Sequence, residues 1–369
     1  MSFIKSAILT LNGHFNYGNR LQNYALQNCL NNFGDCSTLW WNGSYELFAK
    51  KNFTIKEKIK ILLNYHNFEN KVAQFDLFNA IKQNNIKEFS DNYLKVVEAN
   101  LTKLDDSSLM YDKYFVGSDQ VWNPCGWTRN SYIDKVVFLK FCPPKKRFAY
   151  AASISCDSIP KKFEKHFLQS LEQFNKISVR ERSAAELINK ISGKDVPVVL
   201  DPTLLLRKED WTKIEKKPDW YNGENYVLTY FLGKPNEAIS KFAKKNNFKI
   251  YNLMDSKKIN LFTSRVEEFL YLIHNCKLFC TDSFHGTVFS IIYEKPFIVF
   301  NRRDLFLNDM SSRLISLLNT FKLTKLFCDF NSVNIDFSLA FDIDYYEVNK
   351  ILSVERKKSI DYLRNCFEI

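Results

Sequence analysis

At 369 residues, with 46% hydrophobic and 15% aromatic side chains, the chain is too long for one hydrophobic core and too apolar to be disordered, so two folded domains are expected. A net charge of +11 favours a polyanion, an anionic membrane or an acidic substrate as partner, although the lysines are spread over solvent faces rather than gathered in one block. No stretch approaches the roughly 18 apolar residues of a spanning helix, and Met1 to Leu11 lacks the features of a signal peptide, so a soluble, cytoplasmic protein is expected.

Ser6 to Leu11 reads as a strand, Asn12 to Gly18 as a polar loop, and Leu21, Tyr24, Ala25 and Cys29 as the apolar stripe of a helix that Gly34 stops before a strand at Ser37 to Trp41. Ligands of open α/β sheets gather at the carboxyl ends of strands, so the loop from Gly13 to Arg20 is expected to face a cleft. It is not a dinucleotide fingerprint, and Asn19, Arg20, Gln22 and Asn23 are either cleft residues or ordinary polar positions on a solvent face. From about Glu46 to Phe89 a glycine-free, helical stretch reads as an insertion, either a packing layer over the sheet, a lid, or a surface for a partner or membrane.

Tyr114 to Gly117 forms a short strand that runs into Ser118-Asp119-Gln120-Val121-Trp122-Asn123-Pro124. Carboxylate and amide groups here suit sugar hydroxyls, an indole suits the apolar face of a sugar, and Asp119 is a candidate general base; the alternative is a turn capped by Asp119 and anchored by Trp122. Arg147 to Ser153 is a strand, a helix follows from about Pro160 to Phe174, and the strand Lys176 to Val179 ends in Arg180. A guanidinium there suits phosphate or carboxylate, unless it simply pairs with Glu181 or another acid. Val196 to Leu200 reads as a further strand, and Asp201-Pro202-Thr203 as the crossing to the second domain.

The second half repeats the alternation, with strands at Tyr226 to Phe231, Phe248 to Leu253, Lys277 to Cys280 and Pro296 to Phe300. Helices are expected near Asn236 to Lys245, Val266 to Cys276 and Phe284 to Tyr293. Thr281-Asp282-Ser283 is a run of capping residues between a strand and a helix, so unpaired backbone N–H groups there form a seat for an anion, with His285 in the first turn. Arg302, Arg303 and Arg313 follow the last strand, and a final helix spans about Tyr345 to Leu363. Nine cysteines at irregular spacing fit reduced thiols, and Cys276 with Cys280 lacks the second pair that zinc needs. The resulting organisation is an N-terminal α/β domain over 1–203 with an insertion at 46–89, a second α/β domain over 204–344, and a helix over 345–369 packing back across both.

Gly18 to Gln27, Gly117 to Pro124, Ser178 to Glu181, Asp201 to Leu205 and Thr281 to Val288 resemble, in order, the motif series of the bacterial polysaccharide pyruvyl transferases. The resemblance implies a GT-B-like fold, two Rossmann-like domains facing across a cleft, that takes phosphoenolpyruvate as substrate and needs no cofactor or metal. It implies transfer of pyruvate as a ketal onto two hydroxyls of a hexose, commonly O4 and O6 as on galactose, in a polyprenyl-diphosphate-linked precursor of a capsule or cell-surface polymer. By similarity His285 is the general acid, with Asp119 as cleft carboxylate. Arg180, Ser283 and Arg313 fall on the donor side, and Asn19, Arg20, Gln22, Gln120, Trp122 and Asn123 on the acceptor side. Many family members carry arginine where this chain has Ser283, so Arg313, Arg302 or the helix N-terminus is left to hold the phosphate. Two other readings of the same sequence are a sugar-nucleotide glycosyltransferase of the same fold and a non-catalytic scaffold at the inner membrane surface; no nucleic acid partner is expected.

Overall fold

The computed structural model describes residues 4–41, 65–99, 110–124, 131–156, 158–302 and 311–367. Residues 46–64 of the expected insertion, and Arg303, lie outside them.

The first half builds β1 (Lys5–Leu9), α1 (Tyr17–Asn31), β2 (Asp35–Trp41), α2 (Tyr65–Tyr93), β3 (Val96–Ala99), β4 (Lys113–Val116), α3 (Ser131–Val137), β5 (Arg147–Ala152), α4 (Lys161–Leu171), β6 (Lys176–Val179) and α5 (Arg182–Ser192). A short α6 (Lys208–Thr212) leads to β7 (Tyr226–Tyr230), α7 (Ala238–Lys245), β8 (Lys249–Asn252), α8 (Ile259–Phe262), α9 (Val266–Asn275), β9 (Leu278–Thr281), α10 (Phe284–Ile292) and β10 (Phe297–Phe300). Then come α11 (Ser311–Thr320), β11 (Phe327–Cys328) and α12 (Tyr345–Phe367). The strand expected at Val196 to Leu200 is reduced to one bridge between Val198 and Val179, because the chain turns away into the Pro202–Leu204 turn capped by Asp201.

Both sheets are parallel, one in the order β3-β2-β1-β4-β5-β6 and the other β11-β10-β9-β7-β8. This is the GT-B-like arrangement of two α/β domains. In each sheet the order reverses at one point, between β1 and β4 in the first and between β7 and β9 in the second. The loops leaving those strands splay apart there and open a crevice.

The two domains are tied together by apolar packing and by two helices. One cluster runs from Leu21, Leu26 and Phe115 of the first domain to Phe269, Val288 and Ile298 of the second. α2 sends Lys82 among the rings of Tyr17 and Phe262, each 4.9 Å from its ammonium. It also donates from Asn85 Nδ2 to the Thr263 carbonyl at 2.6 Å and pairs Glu88 with Arg265. α12 returns to the first domain, where the Tyr362 hydroxyl donates to the Ala149 carbonyl at 2.9 Å and Phe367 stacks on Phe33 and Phe115.

Candidate functional site

β9 is a run of buried residues, and α10 begins as soon as Ser283 caps it, its Oγ accepting from the Gly286 N–H at 3.2 Å. Thr281 fixes the turn by donating to the Tyr230 carbonyl at 2.6 Å and accepting from the Ser283 N–H at 3.0 Å. Asp282 accepts from the N–H groups of Leu232 and Gly233 at 2.8 and 2.9 Å, which fastens the loop after β7 to the start of α10. The Ser283 hydroxyl is therefore committed to the cap.

This local order pushes His285 out of the second domain toward the first. The ring lands beside Gly18 at the start of α1, where even a methyl group would sit 2.1 Å from Nδ1. On the other side Nε2 lies 3.5 Å from Asp201 Oδ2, near enough for Coulomb attraction but not aligned for a hydrogen bond. Only 7% of the residue is exposed.

Arg180, leaving the carboxyl end of β6, donates from Nη1 to the same Asp201 oxygen at 3.0 Å. Its Nη2 is 3.8 Å from Asp119, its Nε 3.6 Å from Glu181, and its guanidinium carbon lies 4.1 Å from the centre of the Phe284 ring, within range of a cation–π contact. Asp119 accepts from Asn19 Nδ2 at 3.2 Å, and Asn19 Oδ1 accepts from both Nε and Nη2 of Arg20. Arg313, on α11, is buried close to Arg180; burial and then the charge of Arg180 push its guanidinium down to about 10. Nε and Nη2 of Arg180, Nε of Arg302, Nε of Arg313 and Nε2 of His285 are all buried without a hydrogen bond among the described residues. Arg180 already has three carboxylates within 4 Å and Arg302 Nε has Asp282 Oδ2 at 3.4 Å, so Arg313 is the buried guanidinium left without an acid partner among the described residues, and it is the one that favours a further anion.

His285, Arg180, Asp119, Asn19 and Arg313 thus converge where the two crevices meet. Gln120 and Asn123 are half-buried and bond to each other, Asn123 Nδ2 donating to Gln120 Oε1 at 3.0 Å. Three expected acceptor residues lie elsewhere. Trp122 is fully buried, donates from Nε1 to the Val137 carbonyl at 2.9 Å and packs against Phe138 and Phe167, so its indole seals the core instead of covering a sugar. Gln22 is fully buried, holding Thr10 Oγ1 and the Ser118 N–H. Arg20 is fully buried too, one Nη clamped on the Leu11 carbonyl at 2.7 Å. Both shape the crevice from beneath. Gly18 belongs to the loop expected to face the cleft, whereas Asp201 and Phe284 were not among the expected site residues; the sequence signal for Asp201 was its place in an Asp-Pro-Thr turn.

The sequence model of the family described as polysaccharide pyruvyl transferase matches residues 16–304, from the cap of α1 to just beyond β10. The chain belongs to the polysaccharide pyruvyl transferase family. It is a transferase, and the family's chemistry is the pyruvylation of polysaccharides. No curated protein gives a significant sequence match. Among solved structures, the transferase is similar to the UDP-GlcNAc 2-epimerase of Neisseria meningitidis bound to UDP-GlcNAc, with 10% identity, 96% of this chain and 94% of that one covered, and a TM-score of 0.44. The UDP-N-acetylglucosamine 2-epimerase of Rickettsia bellii shares 10% identity over 98% of both chains, with a TM-score of 0.43. ADP-heptose LPS heptosyltransferase II of E. coli shares 9% identity over 96% of this chain and 99% of that one, with a TM-score of 0.36.

Proposed function

We propose that the transferase moves the enolpyruvyl group of phosphoenolpyruvate onto two hydroxyls of one hexose, as a 4,6-ketal on galactose or a similar sugar, in a lipid-linked precursor of a cell-surface polysaccharide. The observation that carries this reading is the set of buried guanidinium groups near His285, in which Arg313 lies close to Arg180 without an acid partner of its own among the described residues. Phosphoenolpyruvate is small and carries a phosphate and a carboxylate, which is the charge such a set demands. A nucleotide sugar spreads a similar charge over a far longer molecule.

In this reading His285 Nε2 gives its proton to C3 of the enol, and C2 becomes an oxocarbenium-like centre. One sugar hydroxyl attacks C2 and its proton passes to Asp119. The C2–O bond to phosphate then breaks, the electron pair leaving on phosphate, and the second hydroxyl closes the ketal as its proton goes to the departing phosphate. Arg180 and Arg313 hold the phosphate and match the charge that collects on it. Gln120 and Asn123, on the first-domain rim, are the amides within reach of acceptor hydroxyls.

The test is incubation of the purified protein with phosphoenolpyruvate and methyl galactoside, lactose and N-acetylhexosamine glycosides, read by phosphate release and product mass. A product heavier by pyruvate less water, with His285→Ala slower by about 10²- to 10⁴-fold, is the expected result. Thermal stabilisation by a nucleoside-diphosphate sugar and none by phosphoenolpyruvate would instead make the protein a sugar-nucleotide glycosyltransferase.

A further inference from the structure

Asp201 has a fully buried side chain, and a buried carboxylate is costly unless every lone pair is answered. Its Oδ1 accepts from the N–H and hydroxyl of Thr203 at 3.0 and 2.6 Å, an ordinary cap for the turn that follows. That structural task uses one oxygen. The other, Oδ2, gathers groups from three separate elements: Ser118 Oγ at 3.1 Å from the loop after β4, Arg180 Nη1 at 3.0 Å from the end of β6, and His285 Nε2 at 3.5 Å from α10 of the second domain.

We propose that Asp201 is the positioning residue of this site, one carboxylate that holds the proton-bearing imidazole and the donor-gripping guanidinium in register across the domain boundary. The inference rests on the pyruvyl-transfer reading for the roles of its two partners. Nε2 lies near Oδ2 without a hydrogen bond between them, so the carboxylate acts on the imidazole by its charge and leaves Nε2 without a hydrogen-bond partner among the described residues. Burial works to raise the Asp201 carboxyl, but the positive charge of His285 and then of Arg180, with the hydrogen bond from Thr203, holds it well below the usual carboxylate range, so the charge persists at working pH. The other charged or titratable groups around this pair are Asp119 and Glu181, which surround Arg180, the Tyr150 hydroxyl from β5, Arg313 from α11 and Arg302 after β10.

The test is Asp201→Asn, which keeps the shape and the bonds to Thr203 but removes the charge and turns an N–H toward Arg180, so the Nη1 bond is lost with it. The expected result is a fall in kcat at pH 7 of about 10- to 100-fold, a several-fold rise in the KM for phosphoenolpyruvate as Arg180 loosens, and a pH profile of kcat that differs from that of the wild type. Independently of turnover, the His285 ring resonances, identified by their loss in His285→Ala, are expected to move at fixed pH in Asp201→Asn. Resonances that stay where they are in the wild type overturn the proposal whether or not any acceptor is converted; absence of product with moved resonances would count against pyruvyl transfer and leave the pairing standing. A rate loss equal at every pH would reduce Asp201 to a turn cap. Should the Asn variant fail to fold, Ser118→Ala removes a neutral partner of Oδ2 together with its contact to the Ala151 carbonyl at 3.0 Å. It is expected to lower kcat several-fold with the pH profile in place, and wild-type kcat there also overturns the proposal.

Discussion

Gly18 carries a strict steric demand at the site. A β-carbon on it would lie 2.1 Å from Nδ1 and 2.6 Å from Cβ of His285, and the root of a side chain cannot swing aside as its tip can. Gly18→Ala is expected to move the imidazole off Asp201, cutting kcat by at least tenfold with a loss of about 1–3 kcal/mol in stability, checked by steady-state kinetics beside urea unfolding. Near-normal kcat would mean that the ring position is not critical. The sequence showed Gly18 as a loop residue at a helix start, but its neighbour His285 belongs to the other domain, and no local pattern carries that contact. Arg180 stood out in the sequence because it follows a strand directly, and His285 because it lies in the first turn of the helix that Ser283 caps. Trp122 was misread because an indole after a strand satisfies both a cleft and a core; Phe138 and Phe167, from elements far along the chain, decide it.

Among elements, α2 shows what periodicity reveals and what it hides. Its helical character was plain in the sequence, whereas its partner was not, and the structure docks Lys82, Asn85 and Glu88 along one face onto the α8–α9 segment of the second domain. Lys82 is buried among Tyr17, Tyr230 and Phe262 with a weak contact to Met254 Sδ at 3.8 Å, and burial pushes its amine down to about 8 from 10.5. A lowered lysine binds fewer protons folded than unfolded between those two values, so stability rises as pH climbs from about 8 toward 10.5, and below 8 the charge is a standing cost on the order of 3 kcal/mol. Lys82→Met is expected to be more stable than wild type at pH 7 and to lose that rise; urea unfolding at pH 7 and 10 measures both. Lower stability at pH 7 would show that the cation–π contacts outweigh the desolvation. The short strands β3 and β11 escaped the sequence reading because they are edge strands, made by pairing with β2 and β10 rather than by their own composition.

At the scale of the whole molecule the histidine, the arginines and the carboxylates of the candidate site come from both halves, His285 of the second domain lying against Gly18 and Asp201, so the cluster exists only while the halves stay together. The alternation of strands and helices was enough to give two parallel sheets, but not how firmly they are joined, because the joining surfaces are apolar stripes that look like any other core-facing stripe. α12 is the clearest case: Leu352, Leu363 and Cys366 are buried, and Arg356 donates to the carbonyls of Leu204 and Leu206. A chain ending at Asp344 is expected to expose the underside of the first sheet, bind a hydrophobic dye and aggregate; a soluble truncated form with a sharp melt would refute this.

That return of α12 also bears on synthesis. The Phe33 and Phe115 rings emerge from the ribosome early, yet the ring that stacks on both is Phe367. The first sheet must therefore wait, partly uncovered, through translation of the entire second domain. Slow synthesis of the later half lengthens that wait, which makes the nascent first domain, more than the finished enzyme, the species with most need of a chaperone.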